Sequence, residues 1–256
     1  MASPGAVLLS EWTKIKTVRS TVVTLLVAFV VTVGLGALVC AITNSQWGSR
    51  SPDDRLTFDA TSTSFSGIFL GQLALIVFAV LVIGNEYSSG MIRVTLAAVP
   101  QRGTLLVAKA AVVTALVLPV SLVTSFVTFL LGQALLGDHG VSLSDTRVLR
   151  AVFGVALYMT FISLLSLGVG FMLRKPVLSL GLLMPFFFLI APILTAVPKV
   201  KTVARYLPDS AGSRMSEVVT SGSSIPYGPI AAFFICLAWV VACLLGGYAL
   251  FRRRDA

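Results

Sequence analysis

Residues 21–43 read TVVTLLVAFVVTVGLGALVCAIT, a run of twenty-three without one charged group. A helix crossing about 30 Å of hydrocarbon at about 1.5 Å per residue needs roughly 20 apolar residues. This run meets that length. It is too long for the core of a signal peptide, and no small-x-small cleavage site follows it, so it reads as a permanent span. Working outward, the same criterion selects residues 62–84, 105–136, 148–173, 177–197 and 228–251. Only Arg174, Lys175 and Pro176 separate the fourth stretch from the fifth. Two charges and a proline predict a tight turn there, not one very long helix.

Composition agrees. Apolar residues make up 57% of the 256 and charged residues 11%, against about 25% charged in a soluble domain. So few charges cannot cover a water-facing surface, whereas an outer face in lipid needs no such cover. The expectation is an all-α integral membrane protein, a single transmembrane domain over 1–256. The net charge is +9. The bases sit between apolar runs and not on a face with interleaved aromatics, so anionic headgroups are the expected partners and nucleic acid is not. Cys40, Cys236 and Cys243 all lie in apolar runs with no Cys-x-x-Cys or Cys/His spacing, and read as packing residues.

With the N-terminus inside, the inner segments hold eleven of the 19 Lys and Arg residues and the outer loops hold eight. The strongest parts of that bias are Lys14, Lys16 and Arg19 before the first span and Arg252, Arg253 and Arg254 after the last. It predicts both termini on the cytoplasmic side of a multi-pass protein.

Two inner segments have helical patterns of their own. Over 4–19, Ser3 and Pro4 make a helix start. Leu8, Trp12 and Ile15 then recur on one side while Glu11, Lys14 and Thr17 take the other. This predicts an amphipathic helix on the inner surface with Trp12 at headgroup level. Between the second and third spans, Ile92, Leu96 and Val99 form a stripe that Pro100 ends, predicting a short helix over 89–99. It reads either as a connector resting on lipid or as a docking helix for a soluble partner.

This loop carries a resemblance. Gly84-Asn85-Glu86-Tyr87-Ser88-Ser89-Gly90, then Pro100, Arg102 and Lys109, resembles the pattern of type-2 ABC exporter permeases, particularly their actinobacterial branch. There the second span ends in Gly-x-Glu-x-x-x-Gly, followed by a short helix, a proline, a basic residue and a lysine. The leader Ser10–Ser20 is similar to that family's opening, and Met91 departs from its usual threonine. The resemblance implies that 89–99 is a coupling helix seated on a separate ATPase. Glu86, Ser89, Gly90, Ile92, Arg93, Leu96 and Val99 would be the contacts, Glu86 and Arg93 the polar ones. The leader, with Leu8, Trp12 and Ile15, would be an interface helix. It further implies a homodimer or paired permease meeting along the first and fifth spans. Short helices in the outer loop 198–226 would dip into the outer leaflet.

Outside their end turns the spans carry no Asp, Glu, Lys, Arg or His, which argues against an ion-coupled carrier and against a membrane-embedded hydrolase. No Gly-Lys dipeptide exists, so there is no Walker phosphate loop. The chain is therefore expected to be no enzyme and to bind no cofactor or metal, with ATP and Mg held by a partner subunit. Lone His139 reads as part of a solvated turn. The hydroxyls Thr124, Ser125, Thr128, Thr160 and Ser163 read first as helix-packing groups and second as a pathway lining. Gly67 and Gly71 allow a close helix approach. Pro185, Pro192 and Pro198 predict a kinked or interrupted fifth span.

The leading expectation is a permease in a bacterial plasma membrane. Driven by an ABC ATPase, it would move an amphipathic or apolar compound (antibiotic, peptide or lipid) outward. The alternative is a membrane scaffold or signalling subunit that recruits a cytosolic partner through the same helices.

Overall fold

The computed structural model describes residues 3–17, 19–218 and 225–253. Val18 of the leader, residues 219–224 of the outer loop, and Arg254 with Asp255 beyond the last span lie outside the described residues. Among the described residues every regular element is helical. In order these are α1 (Pro4–Thr17), α2 (Arg19–Ser45), α3 (Pro52–Leu56), α4 (Ala60–Ser64), α5 (Ile68–Ser88), α6 (Met91–Ala98), α7 (Arg102–Leu136), α8 (Thr146–Leu173), α9 (Pro176–Pro185), α10 (Ala191–Ala196), α11 (Lys201–Ala204), α12 (Pro208–Ser216) and α13 (Pro229–Arg253).

Six helical stretches are long and apolar enough to cross a membrane: Ser20–Ser45, Ala60–Ser88, Arg102–His139, Thr146–Leu173, Pro176–Ala196 and Pro229–Arg253. The second starts where the Asp59 carboxylate accepts the backbone N–H groups of Thr61 and Ser62, then runs through a tighter turn at Phe65–Gly67 into α5. Asp145 caps α8 in the same way, through the Arg147 N–H. Between α8 and α9 the chain reverses at Arg174, whose φ of 59° is left-handed, with Lys175 extended ahead of Pro176. In the fifth span the helix widens into a π-helical segment over Phe186–Ile190. Such a bulge releases the carbonyls that Pro185 and Pro192 cannot pair with an N–H.

α8 is the centre of the bundle. Buried positions make up 78% of its most apolar window, against 22% in the first, fifth and sixth spans. It packs on α13, α7 and α5, and on α12 at the outer end. The first and fifth spans turn Val22, Val23, Leu26, Val177, Leu182 and Ile193 outward, an apolar face that suits hydrocarbon or a second membrane helix.

Gly67 and Gly71 do support a close approach. A Cβ at Gly67 would stand 2.1 Å from the Thr32 carbonyl oxygen, and one at Gly71 1.9 Å from Thr32 Oγ1. On the facing helix, a Cβ at Gly36 would stand 2.4 Å from the Ser64 carbonyl oxygen. Backbone meets backbone here, as small residues permit in lipid. Gly67→Ala should therefore destabilise the protein by about 1–3 kcal/mol through overpacking. Gly34→Ala, where a Cβ meets nothing within 4 Å, should be neutral or slightly stabilising. Thermal unfolding of the two variants in detergent checks the contrast.

Candidate functional site

At the end of the bundle that the Lys and Arg bias predicts to be inner, α1, α5 and α7 bring four charged groups together, with Glu11, Glu86 and Lys109 buried and Lys14 half-buried. On α1 the buried positions are Val7, Glu11 and Ile15, at 2%, 0% and 5% exposure, one face at a spacing of four. This corrects the face expected from the sequence. Leu8 is exposed, Trp12 is half-buried, and Glu11, expected on the polar side, sits at the centre of the covered one. Its partner is Lys109, seven residues into α7 and 1% exposed.

Lys109 Nζ donates to Glu11 Oε2 at 2.5 Å and to Glu86 Oε1 at 2.7 Å. Lys14 Nζ donates to Glu11 Oε1 at 2.8 Å, and at 3.3 Å to both Glu86 Oε1 and Thr95 Oγ1. Two carboxylates and two ammoniums thus balance across α1, α5 and α7, and Thr95 adds α6. Glu86 lies in the last turn of α5, where the negative end of the helix dipole disfavours a carboxylate. The lysines reverse that penalty. Burial pushes the Glu11 carboxyl upward, but the Lys109 ammonium overrides it and holds the group below the usual carboxylate range. Burial likewise disfavours charged Lys14, and the Glu11 and Glu86 carboxylates more than offset it, leaving Lys14 raised.

A second tie lies alongside. The Arg102 guanidinium donates to the Phe251 and Arg252 carbonyls at 2.5 and 3.2 Å. It thereby satisfies orphan acceptors at the C-terminal end of α13. The Arg174 guanidinium stands over the Tyr87 ring at 5.5 Å.

α6 is anchored by its covered side. Gly90, at a φ of 70°, makes the reversal from α5, and the Ser89 hydroxyl donates to the Asn85 carbonyl. Ile92 and Thr95 are buried, and Leu96 and Val99 are half-buried. Of the expected stripe, Ile92 and Leu96 pack on the chain's own core. The side left open carries Met91, Arg93, Val94, Ala97 and Ala98.

The hydroxyls weighed as a pathway lining are also enclosed. Thr124, Ser125, Thr160 and Ser163 donate to carbonyls three or four residues earlier in their own helices. Thr128 is buried against Gly36. All five pack helices within one protomer. His139 stacks on Trp47 with ring centres 3.9 Å apart.

At the opposite end of the bundle, sequence reasoning missed a polar cluster. The Tyr158 hydroxyl lies 2.7 Å from Gln72 Oε1 and 3.2 Å from Asp209 Oδ1, joining α8, α5 and α12. Its only sequence signal was a lone amide in an otherwise apolar span. Burial raises the Asp209 carboxyl above its usual value, although the Tyr158 hydrogen bond opposes this. The Tyr158 ring also fills the space beside Gly212, where a Cβ would meet it at 2.1 Å.

Removing Lys109 leaves two buried carboxylates to share the half-exposed Lys14 alone, so Lys109→Met should cost about 3 kcal/mol. The two ends respond oppositely to acid. The lowered Glu11 contributes stability above the unfolded carboxylate value, and loses it as pH falls through the folded value. The raised Asp209 costs stability when ionised, and the cost disappears as pH falls through its folded value. Denaturation from neutral pH downward should therefore show a shallower acid loss for Glu11→Gln than for the parent. Asp209→Asn should gain stability at neutral pH, and that gain should shrink in acid.

Residues 7–192 match the sequence family described as ABC-2 family transporter protein. No curated protein matches the chain. The matched segment runs from the buried face of α1 into α10, and includes all four charged groups and α6. A match over more than half the chain, joined to six apolar helices of spanning length, makes this protein a member of the ABC-2 transporter family and a multi-pass membrane permease.

Proposed function

We propose that the chain is the permease subunit of an ATP-driven exporter that carries an amphipathic or apolar compound outward. A separate ABC ATPase binds the ATP and Mg and docks on the inner face. The observation that carries this reading is the four-group ion cluster. It joins the surface helix α1, the end of α5, the short helix α6 and the start of α7, so a push on α6 reaches two spans without a flexible linker. Docking falls to the open side of α6, with Met91 and Val94 as apolar contacts and Arg93 as the charge. Glu86 acts from inside, by holding α5 to α7 and to α1, and not by touching the partner.

A second copy of the chain, or a paired permease, completes the path. The outward apolar faces of the first and fifth spans support a membrane-embedded contact of that kind. The protein sits in a bacterial plasma membrane with both termini cytoplasmic, in keeping with the excess of Lys and Arg on the inner segments.

The test is co-expression with an ABC ATPase encoded beside it. The permease should co-purify with that ATPase and raise its ATP hydrolysis. Arg93→Glu combined with Val94→Asp should reduce both by about tenfold or more, the loss expected when charge and apolar contacts at an interface centre are reversed. Both positions are open, so the fold should tolerate the change. A chain that recruits a cytosolic protein without altering ATP hydrolysis would be a scaffold instead.

A further inference from the structure

Between α1, α2 and α5 lies a cavity of about 410 Å³, within the size range of small-ligand sites. Its walls include Thr24, Phe78, Leu81 and Val82, and toward one end they include Glu86 and Lys109 of the ion cluster with the exposed Ser89 and Met91. From Phe78 to Glu86 the helix rises about 12 Å. The cavity therefore begins among buried charges and extends into the apolar depth of the inner half of the bundle.

The charged end is incompletely satisfied. Glu11 uses both carboxylate oxygens, and Glu86 Oε1 accepts from both lysines. Glu86 Oε2 is buried and has no hydrogen-bond partner among the described residues, although Glu86 is only 6% exposed and lines the cavity. A buried carboxylate oxygen left unpaired costs free energy that a donor recovers. The four charges already cancel, so an anionic head gains nothing there and meets an open acceptor.

We propose that this cavity binds an amphiphile with a hydrogen-bond-donating head, an ammonium or a hydroxyl, placed on Glu86 Oε2 with its apolar body along Phe78, Leu81 and Val82. The head could belong to a resident phospholipid or to a free amphiphilic amine or alcohol. The proposal stands on these side chains alone and does not require the export reading. It nonetheless sets the ligand against the same carboxylate that ties α5 to α7.

The full chain in phosphatidylcholine nanodiscs, titrated with a dansyl-labelled alkylamine, tests this by equilibrium binding with no ATPase present. Saturable binding above that of empty nanodiscs is expected. Dodecylamine and dodecanol should displace the probe, and dodecanoate should do so about tenfold or more weakly, because its head cannot donate to Glu86. Leu81→Trp fills the cavity without touching a charged group and should weaken the probe by a similar factor. Glu86→Gln should weaken the amine more than the alcohol. Its thermal midpoint, read alongside, separates loss of the site from loss of the fold. Equal displacement by dodecanoate, or unchanged binding in Leu81→Trp, would overturn the proposal. Repeating the titration with phosphatidylethanolamine identifies the source: a weaker probe means the lipid amine holds the site, and an unchanged one means a free amphiphile does. Loss of this binding would leave ATPase co-purification intact, and failure of co-purification would leave this binding intact.

Discussion

Everything at the inner end depends on the contact of Lys109 with Glu11 and Glu86. Placing an ion in a low-dielectric interior costs several kcal/mol, recovered only when opposite charges lie at hydrogen-bond distance with good geometry. Lys109, at 1% exposure, cannot turn to water for help. α7 can therefore enter the bundle only where α1 and α5 both present a carboxylate, and those carboxylates can be covered only where α7 supplies the cation. The apolar stripes of α1 and α6 are satisfied by many arrangements. The charges admit few, so they fix which arrangement is taken.

The middle and outer parts are held differently. In mid-bundle, Thr32 and Gly36 of the first span meet Gly67 and Gly71 of the second by direct backbone approach, where dispersion and close fit act in place of a hydrophobic driving force. At the opposite end Tyr158 joins Gln72 and Asp209, and the buried Arg214 pairs with Glu217 at 2.7 Å. Neutral hydrogen bonds within a membrane bundle contribute about 1–2 kcal/mol or less. Breaking a buried ion pair costs about 3–5 kcal/mol. Ion pairs thus hold both ends of the bundle, and the glycine contacts between them rely on close fit.

Much of this was legible in the sequence. Lipid leaves a helix few ways to satisfy its backbone, so each run of about twenty apolar residues had to be a span. Gly-x-x-x-Gly marked a real close approach, and the proline-rich fifth span is interrupted. The order of Glu86, Gly90, Pro100, Arg102 and Lys109 picked out a loop whose flanking residues Glu86 and Lys109 meet in the ion cluster. What the sequence hid was non-local. Glu11 and Lys109 are 98 positions apart, so a pattern that assigns every carboxylate to a wet face turned α1 the wrong way. The stripe of α6 was visible too, but periodicity shows which side of a helix is apolar and not what covers it. Ile92 is covered by the chain itself, leaving Arg93 and Val94 open.

That reversal bears on how force could enter. A helix whose apolar stripe seats in a partner is held by that partner and slides when the contact slips. α6 has its stripe and Thr95 seated in its own subunit, and the Thr95 hydroxyl accepts from Lys14. Its displacement must carry the charged groups with it or separate them. Separation leaves a buried carboxylate without its ammonium, at more cost than a tilt of the whole unit, so α1, α6 and the inner ends of α5 and α7 should move as one body. Further along the spans glycines and hydroxyls pack without charge, and the fifth span continues through a π-helical segment. Under the proposed ATPase-driven reading, a displacement of α6 would therefore be taken up in that stretch and not at the ion cluster.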